Sequence, residues 1–63
     1  MKPSRLPDWL PRRLMTVNEV AEILQESPRQ VRRLIADGRL AATKIGHSVR
    51  VTPEAVAALL GLL

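Results

Sequence analysis

Apolar residues along this 63-residue chain recur in two different periods, and the changes between them divide it into elements. From Val17 the spacing is helical. Val17, Val20, Ala21 and Leu24 share one side, Ile23 widens the stripe, and Asn18, Glu22 and Gln25 lie opposite. Thr16, with Glu19 three residues on, predicts a capping box at the start of this first helix. The same signal returns at once: Ser27, Pro28 and Gln30 read as N-cap, N1 and N3 of a second helix, again a capping box. Val31, Leu34 and Ile35 form its inward stripe, and Gly38 is a natural residue to close it. Two short helices joined by so tight a turn must cross steeply, which is the helix-turn-helix arrangement.

After Gly38 the period falls to two. Leu40, Ala42 and Lys44 alternate with Ala41, Thr43 and Ile45, and Val49 and Val51 alternate with Ser48 and Arg50, around a tight turn at Gly46-His47. Thr52-Pro53-Glu54 then predicts the start of a third helix with a stripe of Val56, Leu59, Leu60 and Leu63. The expected fold is mostly α with a small β-hairpin: a winged helix-turn-helix of two short helices, a two-stranded wing and a C-terminal helix. It should occupy residues 14–63. Residues 1–13 carry Pro3, Pro7 and Pro11, and proline every fourth residue blocks a continuous helix, so they predict an extended or turn-rich arm. Leu6, Trp9 and Leu10 could tack that arm onto the domain or onto a partner.

Composition narrows the function classes. Ten Lys and Arg against six Asp and Glu give net charge +4, with a sequence pI near 11.2, which favours a polyanionic partner. There is no cysteine and one histidine, His47, so thiolate chemistry and a metal site are excluded, and no cofactor is expected. A chain of 7.0 kDa without these groups is not expected to be an enzyme. The longest apolar stretch, Ala55 to Leu63, is nine residues and far short of the ~20 a membrane span needs. The N-terminus has no apolar signal-peptide core, so export is not expected.

The second helix carries the chemistry. At 100° per residue Arg29 and Arg33 lie almost opposite Val31, Leu34 and Ile35, with Ala36 beside them and Arg32 and Gln30 flanking. Arginine forks onto guanine O6 and N7, glutamine onto adenine N6 and N7, and a small residue permits close approach, so this face suits major-groove reading. An isolated arginine pair at this spacing is usually a solvated face. Here a basic hairpin follows, with Lys44, His47, Ser48 and Arg50 around its turn and Thr43 beside it, a composition suited to phosphates or to the minor groove. The free N–H groups at the start of the first helix, at Thr16 and Val17, are a further candidate phosphate site.

Residues 14 to 60, LMTVNEVAEILQESPRQVRRLIADGRLAATKIGHSVRVTPEAVAALL, resemble the small MerR-like winged helix-turn-helix domains of phage and mobile-element excisionases. The resemblance rests on the opening Leu14, Thr16, Glu19 and Ala21, on the run from Val31 to Leu40, and on the wing from Lys44 to Val51. The family often has glycine where this chain has Gln25 and tyrosine where it has Arg32. The resemblance implies that the Ser27-initiated helix enters the major groove and the wing the minor groove, through Arg29, Gln30, Arg32, Arg33, Lys44, His47, Ser48 and Arg50. It also implies an excisionase, or recombination directionality factor, that bends double-stranded DNA and turns an integrase towards excision. A small transcriptional regulator of a mobile element uses the same helix and wing.

Excisionases of this kind often bind repeated sites head to tail, and a contact between two different surfaces builds an open filament. Trp9 and the C-terminal Leu59, Leu60, Leu62 and Leu63 are the candidate protein-contact residues, with Trp9 alternatively covering the core of its own chain. The implied location is the bacterial cytoplasm, on the nucleoid, with no membrane and no small-molecule ligand. A reading from another class, a protein-interaction adaptor using the leucine-rich last helix, predicts little salt-dependent DNA binding.

Overall fold

A computed structural model describes residues 6–62; the first part of the arm, with Pro3, and the contact candidate Leu63 lie outside the described residues. The elements follow in the order α1 (Val17–Leu24), α2 (Pro28–Ala36), β1 (Thr43–Ile45), β2 (Ser48–Arg50) and α3 (Pro53–Leu59). This is the winged helix-turn-helix architecture that the periodicity predicts.

Each helix starts on a hydroxyl cap. Thr16 Oγ1 accepts the Glu19 N–H at 3.1 Å while Glu19 Oε1 accepts the Thr16 N–H at 2.8 Å, completing the capping box of α1. Thr52 Oγ1 caps α3 through the Ala55 N–H at 3.1 Å. In α2 only half of the predicted box forms. Ser27 Oγ accepts the Gln30 N–H at 3.1 Å, but the Gln30 side chain sends no bond back to Ser27. A neutral amide oxygen is a weaker acceptor than a carboxylate, so the returning bond has less to hold it against water.

The helices also share one way of ending. A residue with left-handed backbone follows each of them, and the next N–H reaches back to a carbonyl of the last turn: Glu26 to Ala21 at 2.9 Å, Arg39 to Leu34 at 2.9 Å and Leu62 to Ala57 at 2.8 Å. Glycine takes that position after α2 (Gly38, φ 78°) and α3 (Gly61, φ 77°), whereas α1 uses Gln25 at φ 58°. Left-handed backbone costs an L-residue about 1–2 kcal/mol. Gln25→Gly removes that strain, gives up the exposed Nε2 bond to Glu22 O, and frees the unfolded chain somewhat. The expected net gain is about 0.5–1 kcal/mol, a rise of roughly 2–6 °C in a thermal melt; an unchanged or lower melting temperature would contradict the strained turn.

The core gathers one or two residues from nearly every segment: Leu10, Met15, Val20, Val31, Leu40, Val51 and Val56 are fully buried, with Val17, Ala21 and Ala57 beside them. Met15 and Val51 exchange backbone hydrogen bonds at 2.8 and 2.9 Å, so the strand leaving the wing is pinned to the residue that precedes α1. That bridge fixes the wing against the helix pair.

Three expectations about the packing change. The first strand begins at Thr43, not at Leu40. The Leu40 N–H bonds Leu34 O at 3.2 Å as part of the α2 ending, which turns Leu40 into the core and away from the ladder. The buried stripe of α3 is Pro53, Val56 and Ala57; Leu59 is half-buried against the core, and Leu60 lies exposed because the helix has already ended. In the arm Leu10, not Trp9, enters the core, since Trp9 is 59% exposed. A turn closed by Leu10 N–H to Pro7 O brings Leu10 round, and the Arg12 guanidinium holds it by donating to the carbonyls of Leu6, Pro7 and Leu10.

Candidate nucleic-acid interface

On α2 the burial follows the helical wheel. Val31 is buried, Gln30, Leu34 and Ile35 are half-buried on its two flanks, and Arg29, Arg32, Arg33 and Ala36 form the exposed ridge. Among the described residues none of the three arginines has an ion pair or a side-chain hydrogen bond; the ion pair that does form joins Arg13 to Glu19. Folding gains little from this arrangement. Arg29 and Arg33, four apart, repel by about 0.2–0.5 kcal/mol, and Arg29 in the first turn, where α2 has no acidic residue, opposes the helix dipole, although Arg33 in the last turn suits it. A polyanion lying along the ridge would offset both unfavourable terms by its attraction for the cations.

The wing is a two-residue hairpin in which Gly46 (φ 62°) supplies the left-handed turn residue. Its register pairs Thr43 with Arg50, Lys44 with Val49 and Ile45 with Ser48. Paired residues share a face, so Lys44 lies on the face of Val49, and Ser48 and Arg50 on the other. The predicted wing residues are therefore divided between two faces.

Between α1, α2 and the wing lies an open cleft of about 490 Å³. It brings together Thr16, Arg32, His47, Ser48 and Arg50 of the residues expected from sequence, and adds Asn18, which sequence reasoning took only as the polar side of α1. The signal for Asn18 was its place in the first turn of a capped helix, where backbone donors are free. The N–H groups of Val17 and Asn18 have no partner among the described residues, whereas that of Thr16, expected to be free, is taken by Glu19. Two arginines, a histidine, a serine and free helix N–H groups around one hollow are the kinds of donor that a phosphate would bind. Arg29, Gln30, Arg33 and Lys44 lie outside this cleft.

One carboxylate stands at the same helix start, and it is neutralised. Arg13 forks onto Glu19 at 2.7 and 3.0 Å, and with the Thr16 N–H this holds the Glu19 carboxyl down at about 2. A lowered carboxylate contributes stability that is present above its unfolded value, near 4.5, and is lost as pH falls through about 2. Thermal melts between neutral pH and pH 2 should therefore show the parent losing more than Glu19→Gln, with the two curves converging in acid. Parallel curves would remove the role given to this pair.

A family model described as a helix-turn-helix domain matches residues 14–61, from the strand-like residues before α1 to the glycine that ends α3. No curated protein and no solved structure matches the chain.

Proposed function

The chain belongs to the helix-turn-helix domain family, and from that premise we propose that it is an excisionase, a recombination directionality factor that binds and bends attachment-site DNA to turn an integrase towards excision of a mobile element. Sequence-specific binding to double-stranded DNA is what the domain implies. The observation that carries the reading is the ridge of Arg29, Arg32 and Arg33, left without partners and adjoining the wing cleft. In the proposed mode α2 lies in the major groove with Arg29, Gln30 and Arg33 towards base edges. Arg32, Arg50, His47, Ser48 and the α1 N–H groups hold a backbone phosphate in the cleft, and Lys44 meets phosphate from the other face of the wing. The role is binding and shaping of DNA without catalysis. Among the described residues no helix is long and apolar enough to cross a membrane, and the proposed setting is the bacterial nucleoid.

The α1 opening, the α2 run and the wing carry the likeness to excisionase domains, and a transcriptional regulator of a mobile element would use the same helix and wing, so the two are separated by the DNA that is bound. Neutralising about five to eight phosphates should make log K fall with log salt at a slope of roughly −5 to −7. The deciding experiment is capture of sheared host DNA on the purified protein at moderate salt, followed by sequencing. Enrichment of an attachment site beside an integrase gene supports the excisionase; enrichment of promoters alone replaces it with a regulator. No enrichment above a charge-matched basic protein, with a flat salt response, overturns DNA binding itself.

A further inference from the structure

Ile45 is the one large apolar side chain on the wing that is left exposed, at 52%, and it is not among the residues packed against the core. The other exposed large hydrophobics are elsewhere: Trp9 and Leu14 before α1, Leu60 and Leu62 after α3. Its position is also particular. It is the last residue of β1, directly before the Gly46–His47 turn, and its cross-strand partner is the polar Ser48, so no apolar pair within the hairpin accounts for it. The tip beside it is slim, because Gly46 has no side chain and the space a Cβ would enter is open. Around it stand Lys44, His47, Ser48 and Arg50, with the two cations on opposite faces of the ribbon. An isolated isoleucine amid groups suited to phosphate is not the surface of a protein-binding patch, which would be contiguous and apolar.

We propose that Ile45 is an unstacking wedge: with the wing in the groove, its side chain enters a base-pair step of duplex DNA, parts the stacked bases and kinks the helix. This rests on the DNA-binding reading above. B-DNA's minor groove, about 6 Å wide, is narrow for a hairpin whose strands run about 4.8 Å apart before side chains are added. Apolar wedges solve that problem by opening a step and bending the duplex towards the major groove. Pyrimidine–purine steps unstack most easily, so the wedge assigns the wing to a TA or CA/TG step. Lys44 and Arg50, on opposite faces, then meet the phosphates on the two walls.

The test uses duplexes of a captured site with 2-aminopurine, whose fluorescence rises on unstacking, placed at successive positions, and with a dye pair at the ends to read bending. Binding is read separately from the anisotropy of an end label. The parent should brighten one pyrimidine–purine step and shorten the end-to-end distance, and should bind about tenfold tighter when a mismatch has already opened that step. Ile45→Ala should lose the brightening, the shortening and the preference for the mismatch, and Ile45→Leu should keep all three. Substitution of an exposed side chain leaves the fold intact, which a thermal melt confirms. If the parent binds but no step brightens, or Ile45→Ala brightens it equally, the wedge is overturned and DNA binding stands. If the parent gives no anisotropy change beyond a charge-matched control, both fall together.

Discussion

Replacing Arg33 by alanine is expected to weaken binding to the preferred duplex by about 1–3 kcal/mol while leaving binding to scrambled DNA nearly unchanged. Arg33 is exposed on α2, outside the cleft that holds Arg32, and no carboxylate among the described residues restrains it. Its fork is therefore free to meet a base edge, and a lost base contact is lost from one sequence only. Lys44→Ala should behave in the opposite way, lowering affinity for every duplex alike and reducing the salt slope by about one, because a point charge on a phosphate carries no sequence information. Competition titrations with preferred and scrambled duplexes separate the two. Equal losses on both duplexes for Arg33→Ala would sink its assignment to the bases.

The largest effect on stability is expected at Leu10. Truncating a fully buried leucine costs about 2–5 kcal/mol, and a domain of this size has little to spare, since ordinary small domains hold only about 5–15 kcal/mol in all. Leu10→Ala should lower the melting temperature by more than about 10 °C. Trp9→Ala, one residue away but 59% exposed, should stay within about 0.5 kcal/mol of the parent. Circular-dichroism melts of the two variants read this directly. A mild Leu10→Ala would mean that the arm is a detachable tail, whereas the structure places one of its residues among the seven largest fully buried side chains.

That contrast also shows what was legible in the sequence. Helix starts and stops are local chemistry: Thr16 with Glu19, Ser27 with Pro28, Thr52 with Pro53 and the closing Gly38 each satisfy backbone groups within four residues, so spacing alone reveals them. The hairpin is legible for the same reason, through the change of period and Gly46-His47. Burial that depends on distant segments is not. Leu10 lies in a proline-rich run without periodicity, and a turn closed on Pro7 O, held by Arg12 on three carbonyls, brings it to the core. Met15 has no alternating neighbours, yet it is pinned to Val51 across the fold. In α3 the leucines suggested a longer helix, and the position of Gly61 outweighed them by ending it at Leu59.

The interface divides in the same way. The arginine ridge belongs to one helix and could be read from a helical wheel. The cleft could not, because Thr16, Asn18, Arg32, His47 and Arg50 come from three elements, and their meeting depends on the wing being held by the Met15–Val51 bridge. Gln25 marks the limit between these cases: nothing in its local sequence signals left-handed backbone, and the one pointer is the glycine that the resembled family often has there.

Selection of binding sites from a random pool of duplexes by the purified protein at moderate salt tests the central claim most directly. The α2 ridge and the wing predict recovery of one compact motif, with guanines in the segment facing α2, and loss of preference at one of those guanines when Arg33→Ala is selected in parallel. Recovery of no motif, or of the same motif with undiminished preference by Arg33→Ala, would contradict it.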